Sequence, residues 1–435
     1  MADKNVQMKV LNSSGTYDTI NPASNASLIK TTDGSNVQAH IDNKNNPHEV
    51  TTAQIGAVPA SQKGAAGGVA TLNDNGYVMQ RVGAGRKSGA PIGANSTAEG
   101  FDTIASNECC HAEGRTTQST GLRSHSEGEM TKATGGWSHA EGLRTTASGQ
   151  CSHAEGEASE ASGPYSHAEG VEWGGNLGCN TIASGTASHA EGCYTRANVF
   201  ASHVSGDSNK DLNGDPSSFQ ATADAMVIGN GDGAKSNCFR ITFDGKVYGL
   251  SAFNSSGADY SEFFEWADEN PSAEDRVGHF VTLDGEKIKL ANDGDYIVGI
   301  TSGNPAVVGD HPSESWNSRY LRDAFGRLQY EDVVIPAQEE KDKEGNVIRT
   351  VPEHTETHFK VNPDYDPAKE TEYENREKRP EWATVGLMGK LVVIDDGTCE
   401  VNGYCKPADG IATKADTGYR VLARLDETHI KVLMK

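Results

Sequence analysis

The chain is poor in large apolar side chains: 35% of its 435 residues are hydrophobic and 7% aromatic, while glycine occurs 49 times. Such material builds one large buried core badly, so a fibre is expected rather than a globule. Basic residues are also scarce, 38 against 61 acidic, and a net charge of −23 argues against nucleic acid as a partner. No apolar run reaches the roughly eighteen residues of a membrane span, so no membrane insertion is expected. The start, MADKNVQMKV, lacks the apolar stretch of a signal peptide. Synthesis in the cytoplasm, followed by joining something larger, is the expected route. The eight cysteines, at 109, 110, 151, 179, 193, 238, 399 and 405, lack the paired short spacings of a zinc ribbon. Free thiols are expected. Cys399 and Cys405 flank the turn-like CEVNGYC, where a bond between them and simple apolar packing are both open, with packing favoured. No motif calls for a cofactor.

What the chain does have is a period. His111, His125, His139, His153 and His167 follow at intervals of 14; a step of 22 leads to His189 and one of 14 to His203. Glycines keep the same beat at 100, 114, 128, 142, 156, 170, 192 and 206, and a second set stands at 121, 135, 149, 163 and 185. The long step holds WGGNLGCN, an eight-residue loop inserted into one coil. A heptad coiled coil is excluded on chemistry, because the repeating positions offer Ala, Ser, Thr and Gly where large apolar residues are required. Short strands with small inward residues and a glycine at each corner describe a narrow parallel β-solenoid. In Ser-His-Ala-Glu, strand alternation sends Ser and Ala inward and His and Glu outward or toward a neighbouring chain. Some eight coils at about 4.8 Å each make a segment on the order of 40 Å, and a solenoid this thin is expected to pack with two copies of itself.

The units SHAEGLRTTASGQC and SHAEGEASEASGPY resemble the head repeats of trimeric autotransporter adhesins and related phage fibres, over about residues 95–206. The resemblance implies a left-handed β-roll assembled as a homotrimer. Rows of His and Glu also raise a metal site, with His125, His139, His153 and His167 competent for zinc or nickel. The competing reading is a hydrogen-bonded ladder at the subunit interface, since a row of equal sites lacks a closed ligand set.

Residues 1–90 are short β-prone pieces broken by Asn, Gly and Pro, within which NPHEVTTAQIGA and GGVATLNDNGYV resemble modules of phage tail fibres that join the fibre to the virion or link its sections. His48 there reads as a turn residue. After the repeat (91–210) comes a bridging stretch with strand character (211–256), and from about 257 to 435 apolar content rises into alternating runs such as HFVTLDGEKIKLA and GKLVVIDDGTC, expected as antiparallel strands with tight turns. The charged stretch between 337 and 380 reads as a solvated arm or an intersubunit contact, with DKEGN as a hairpin tip.

GADYSEFFEWAD, SWNSRYLRDAFGR, RPEWATVGLMGKLVVIDDGTC and YRVLARLDETHIKVLMK resemble the G2 peptidase domain at the end of phage appendage proteins. The resemblance implies an intramolecular chaperone that trimerises, aligns the chains and releases itself by one self-cleavage near its own N-terminus. Carried over, the acidic residues of that chemistry are Asp259 and Glu262. Crowding of paired carboxylates suits amide cleavage, one serving as acid and the other activating water. Spacing leaves their geometry open: three apart, they share a face in a helical turn and oppose each other in a strand, where the working pair would form between chains. The bond is sought between Asn254 and Asp259, across Ser255, Ser256, Gly257 and Ala258, with Ala258–Asp259 as first choice. Ser255, Ser256 and Ser261 are lesser candidates for an acyl shift.

The expected whole is an all-β, elongated homotrimeric fibre with a left-handed parallel β-roll followed by a compact antiparallel chaperone domain. Its expected role is a phage tail or appendage component of the virion, contacting tail or baseplate proteins and a host-cell receptor, glycan or surface protein, with Trp173 and Asn176 of the inserted loop as receptor contacts. A bacterial trimeric adhesin and a glycan-degrading tailspike are the alternatives; the first needs a membrane barrel and the second a carboxylate cleft, and neither is visible.

Overall fold

The computed structural model describes residues 8–20, 83–171, 180–231, 234–312, 316–341, 345, 347–369 and 373–435. Met1–Gly83 and Ala84–Lys435 form separate units. Of the first, an antiparallel pair of strands, Met8–Leu11 and Tyr17–Ile20, is described; the Asn12 carboxamide oxygen closes its turn by accepting from the Ser14 and Thr16 backbone N–H groups. His48 and the two fibre-like modules lie outside the described residues.

The second unit opens with the repeat. Each short strand pairs in parallel with the strand one period on, so that Thr97, His111, His125, His139, His153, His167, His189 and His203 stand over one another. A second column runs Ile104, Gln118, Lys132, Thr146, Glu160, Ile182 and Arg196. Backbone donors reach the next coil, for example His139 N–H to Ser152 O and Thr146 N–H to Ser159 O. The interior is filled by Ala112, Ala140, Ala154, Ala168 and Ala190 from one wall and Ala133, Ala147, Ala161, Ala183 and Ala197 from the other, all fully buried. Small residues suit this interior because both walls meet across a single side-chain layer, and Val204 takes the alanine position near its end. Three of the buried serines are satisfied locally: Ser138, Ser152 and Ser166 each donate to the carbonyl three residues back, at 2.7 Å. His167 pairs with His189 in unbroken register, so the ladder closes across the long step.

Two features differ from expectation. The glycines at 121, 135, 149, 163 and 185 do not hold the left-handed corners; those corners fall on ordinary residues such as Arg123, Trp137, Cys151 and Tyr165, with φ of 54–60°. What that glycine column supplies is room, because a Cβ on Gly149 would lie 2.0 Å from the Gly163 carbonyl oxygen. The solenoid also runs past residue 210. Asp224–Asn230 adds one more parallel rung on His203–Asp207, and Asn237–Thr242 and Val247–Gly249 then continue it antiparallel.

Downstream lies an antiparallel sheet in the order Lys287–Leu290, Phe280–Asp284, Ile297–Thr301, Trp382–Ile394, His429–Met434, Tyr419–Arg424, Tyr404–Ala408, Ile411–Ala415. Among the described residues there is no α-helix, and the chain is all-β. Phe280, Ile300, Val393, Ile430 and Val432 form the main core. Cys399 and Cys405 are free thiols within it, and burial first of all pushes Cys405 up to about 12. Packing, not a bond, accounts for them. The charged arm begins as a hairpin, Tyr330–Ile335 against His354–Phe359, that docks on the end of the repeat region: Ala221 N–H donates to Thr357 O at 2.8 Å and Tyr330 Oη to Asp244 at 2.7 Å. Gln338–Lys341 and Val347–Val351 extend it; most of DKEGN lies outside the described residues.

Candidate active site

Between the repeat region and the sheet, residues 251–258 form no strand. Phe253 is 81% exposed, and Ser255, Ser256 and Ala258 are exposed as well. Gly257 lies flat on the Pro305–Ala306 backbone, where an added Cβ would meet Ala306 N at 2.4 Å. The chain then enters the strand Asp259–Glu265, which lies antiparallel to Trp382–Ile394 and parallel to Val307–Gly309. The Ala258 carbonyl accepts from Lys390 N–H at 3.2 Å and the Asp259 carbonyl from Ala306 N–H at 2.8 Å, so both sides of the Ala258–Asp259 peptide are held.

Alternation sorts the acidic pair. Asp259 is 5% exposed and Ser261 fully buried, on the inward face, where Ser261 Oγ donates to Asp259 Oδ2 at 2.7 Å. Tyr260 and Glu262 share the other face, where Tyr260 Oη donates to Glu262 Oε1 at 2.6 Å. That bond holds the Tyr260 proton above its ordinary range. One chain therefore does not bring Asp259 and Glu262 together. Ser261 spends its hydroxyl on Asp259, an interaction that spacing alone could have suggested, since i and i+2 share a strand face. Ser255 Oγ accepts from Gly257 N–H at 3.2 Å. A groove of about 510 Å³ runs beside this junction, lined by Ser256, Gly257, Ala258 and Asp259 and by Lys390, His429 and Lys431. Asp275 lines it too, so Lys390 and Lys431 share the groove with the carboxylates of Asp259 and Asp275.

The histidine column forms a stack: successive rings from His111 to His203 are 4.7–4.8 Å apart and within 10° of parallel. His153 and His167 contact Glu141 and Glu155 of the preceding coil through Nε2, at 3.2 and 3.1 Å. His125 and His139 have buried Nε2 atoms without a hydrogen bond. Groups such as His139, Glu141 and His153 place three ligand atoms within 4.8 Å. Parallel rings, however, carry parallel lone pairs that do not converge on one ion, and the arrangement favours a ladder. Burial first, and then the neighbouring His139 and His111, lower the pKa of His125 against the pull of Glu127 and Glu113; His189 is lowered in the same way, against Glu169 and Glu191. Because the folded value lies below the unfolded one, the unfolded chain takes up more protons as pH falls through about 6.5, and stability is lost from there downward. The thermal midpoint of the repeat region is expected to fall between pH 7.5 and 5, and a His125→Gln, His189→Gln variant to lose less. An equal loss in both would sink the assignment. Trp173 and Asn176 lie outside the described residues.

Residues 217–429 match the family described as Peptidase_G2, IMC autoproteolytic cleavage domain. The pre-neck appendage protein of Bacillus phage B103 is 35% identical over 161 residues, which is 37% of this chain and 16% of that protein. A protein of Bacillus subtilis (strain 168) described as phage-related is 38% identical over 167 residues, 38% of this chain and 19% of that one. The chain thus spans less than a fifth of the length of these relatives. The crystal structure of a C-terminal fragment of bacteriophage phi29 gene product 12 is 28% identical, covers 41% of this chain and all of that fragment, and superposes with a TM-score of 0.31. The family match begins at 217, within the bridging segment rather than at 257, and so takes in the residues on which the charged arm docks.

Proposed function

We propose, from the Peptidase_G2 domain that residues 217–429 form, that this chain is a structural component of a phage appendage, matured by one self-cleavage between Asn254 and Asp259, with Ala258–Asp259 as the preferred bond. The observation that carries the reading is the junction itself. An exposed segment without strand structure enters a strand whose first residue is a buried carboxylate, and the peptide joining the two is held on both sides. Water adds to the Ala258 carbonyl carbon, the C–N bond breaks, and the Asp259 nitrogen leaves as an amine after taking a proton. Asp259 and Glu262 share that acid and base work. With the two on opposite faces of one strand, Glu262 serves the bond of a neighbouring chain in a homotrimer. Cleavage then waits for assembly.

In this reading the domain aligns three copies of the repeat and leaves once they are in register. Near-identical coils can pair one period out of step at little cost, which is the error such a clamp prevents. The released repeat region faces outward from the virion, contacts tail or baseplate proteins at one end and a host-cell glycan or surface protein elsewhere. Intact mass measurement of the expressed chain is the direct test: two fragments, one ending at Ala258 and one beginning at Asp259, are expected. A single species of 46.1 kDa defeats the reading.

A further inference from the structure

The long strand Trp382–Ile394 carries glycines at 386 and 389, inside the run GLMGK. Glycine in a strand interior weakens it and marks a place where another backbone comes close. Here the close neighbour is the junction peptide. A Cβ on Gly386 would lie 2.8 Å from Asp259 Oδ2, and one on Gly389 would lie 2.3 Å from the Ala258 carbonyl oxygen and 2.7 Å from the Asp259 Cα. Gly389 also has φ +126°, a conformation that L side chains rarely adopt. Directly after it, Lys390 N–H points at the same carbonyl oxygen, at 3.2 Å.

We infer that Gly386, Gly389 and Lys390 N–H form a slot for the scissile peptide, in which the Lys390 backbone N–H polarises the Ala258 carbonyl and stabilises the oxyanion formed when water attacks. This rests on the reading that Ala258–Asp259 is the bond cut. The glycines are positioning residues: one leaves space for the Asp259 carboxylate and the other for the carbonyl. The Lys390 N–H is the catalytic group, because it touches the reacting oxygen. The carbonyl gains negative charge as the water oxygen bonds to its carbon, and a fixed donor there counts more in the transition state than before it. The oxyanion then collapses, the C–N bond breaks, and Ala258 keeps the carboxylate while Asp259 keeps the amine. The slot also fits the placement of the bond. Only where the chain first joins the sheet can its carbonyl meet a strand N–H while the preceding residues stay exposed to water.

The test replaces residue 390 with the α-hydroxy analogue of lysine in the whole chain, which turns the 389–390 amide into an ester and removes the N–H while keeping the side chain. Cleavage is followed by intact mass over time, and the site by N-terminal sequencing of the released fragment. Loss of one oxyanion donor is expected to slow cleavage by about a hundredfold, with the same cut and an unchanged pH profile, since no titrating group is altered. Gly389→Ala is expected to stay uncut and to lower the thermal midpoint of the sheet, because its methyl group would meet the Ala258 oxygen at 2.3 Å; the ester, which adds no atom against the junction, therefore carries the test. An ester chain cut within threefold of the parental rate overturns the slot and leaves the cleavage reading standing. A parent chain that stays whole overturns the cleavage reading and the slot together, and a cut at another bond between Asn254 and Asp259 overturns the slot and the preference for Ala258–Asp259.

Discussion

Replacing Asp259 by Asn is expected to leave the 46.1 kDa chain uncut, with cleavage slowed by roughly three orders of magnitude, the range set by loss of a general acid or base. The change is nearly isosteric. The Asn carboxamide oxygen can still accept from Ser261 Oγ, and no atom is added against Gly386, so folding and assembly should survive. Glu262→Gln is expected to block cleavage as well, although its side chain sits on the opposite face with Tyr260. The informative experiment combines them. If Glu262 acts on a neighbouring chain, then co-expressing the two variants, tagged differently, restores cleavage in mixed assemblies and only in the Glu262→Gln chain, which keeps its own Asp259 and borrows Glu262. Mass measurement of each tagged chain reads this directly. Mixed assemblies in which both chains stay whole would sink the cross-chain arrangement, and so would a Glu262→Gln chain that cuts itself alone.

The repeat was readable because a solenoid turns sequence period into stacking distance with no tertiary choice in between: Ala154 is inward and His153 outward in every coil for the same local reason. The corners were less readable. Glycine is the default for a left-handed turn, yet Trp137 and Tyr165 occupy those turns, and the glycines are fixed by the approach of the next coil, which local propensity does not report. The extra rung at Asp224–Asn230 was hidden because it has none of the Ser-His-Ala-Glu pattern, although it pairs by backbone and puts Val227 into the same core as the alanines. At the junction, the strand and its buried first carboxylate follow from alternation in DYSEF. The partners of that carboxylate do not. Gly386, Gly389 and Lys390 come from a strand more than a hundred residues away, and only the register Asp259↔Gly389 makes their spacing meaningful.

The same closeness of backbones makes the glycines of the repeat its most sensitive positions. Gly149→Ala puts a methyl group 2.0 Å from the Gly163 carbonyl oxygen, which is backbone and cannot swing aside. Ordinary contact requires the two coils to part by more than an ångström. That movement breaks neighbouring rungs such as Thr146 N–H to Ser159 O and Gly149 N–H to Ala161 O. With overpacking at about 1–3 kcal/mol and about 1 kcal/mol for each hydrogen bond lost, a destabilisation on the order of 3–5 kcal/mol is expected. Gly142→Ala adds backbone strain, because Gly142 sits at φ +98° with its own Cβ position 2.2 Å from the Gly156 oxygen. Gly136→Ala is the control: its nearest neighbour would be the Leu122 oxygen at 3.9 Å, and its stability should change by no more than about 0.5 kcal/mol. Because each coil touches only its neighbours, the damage should stay local. Hydrogen exchange in the Gly149→Ala chain is expected to quicken in the coils on either side of residue 149, while Phe280–Asp284 and His429–Met434 keep their protection. A Gly149→Ala chain that melts with its parent would mean that the coils are not held at this spacing, and the stacking account of the repeat would fail with it.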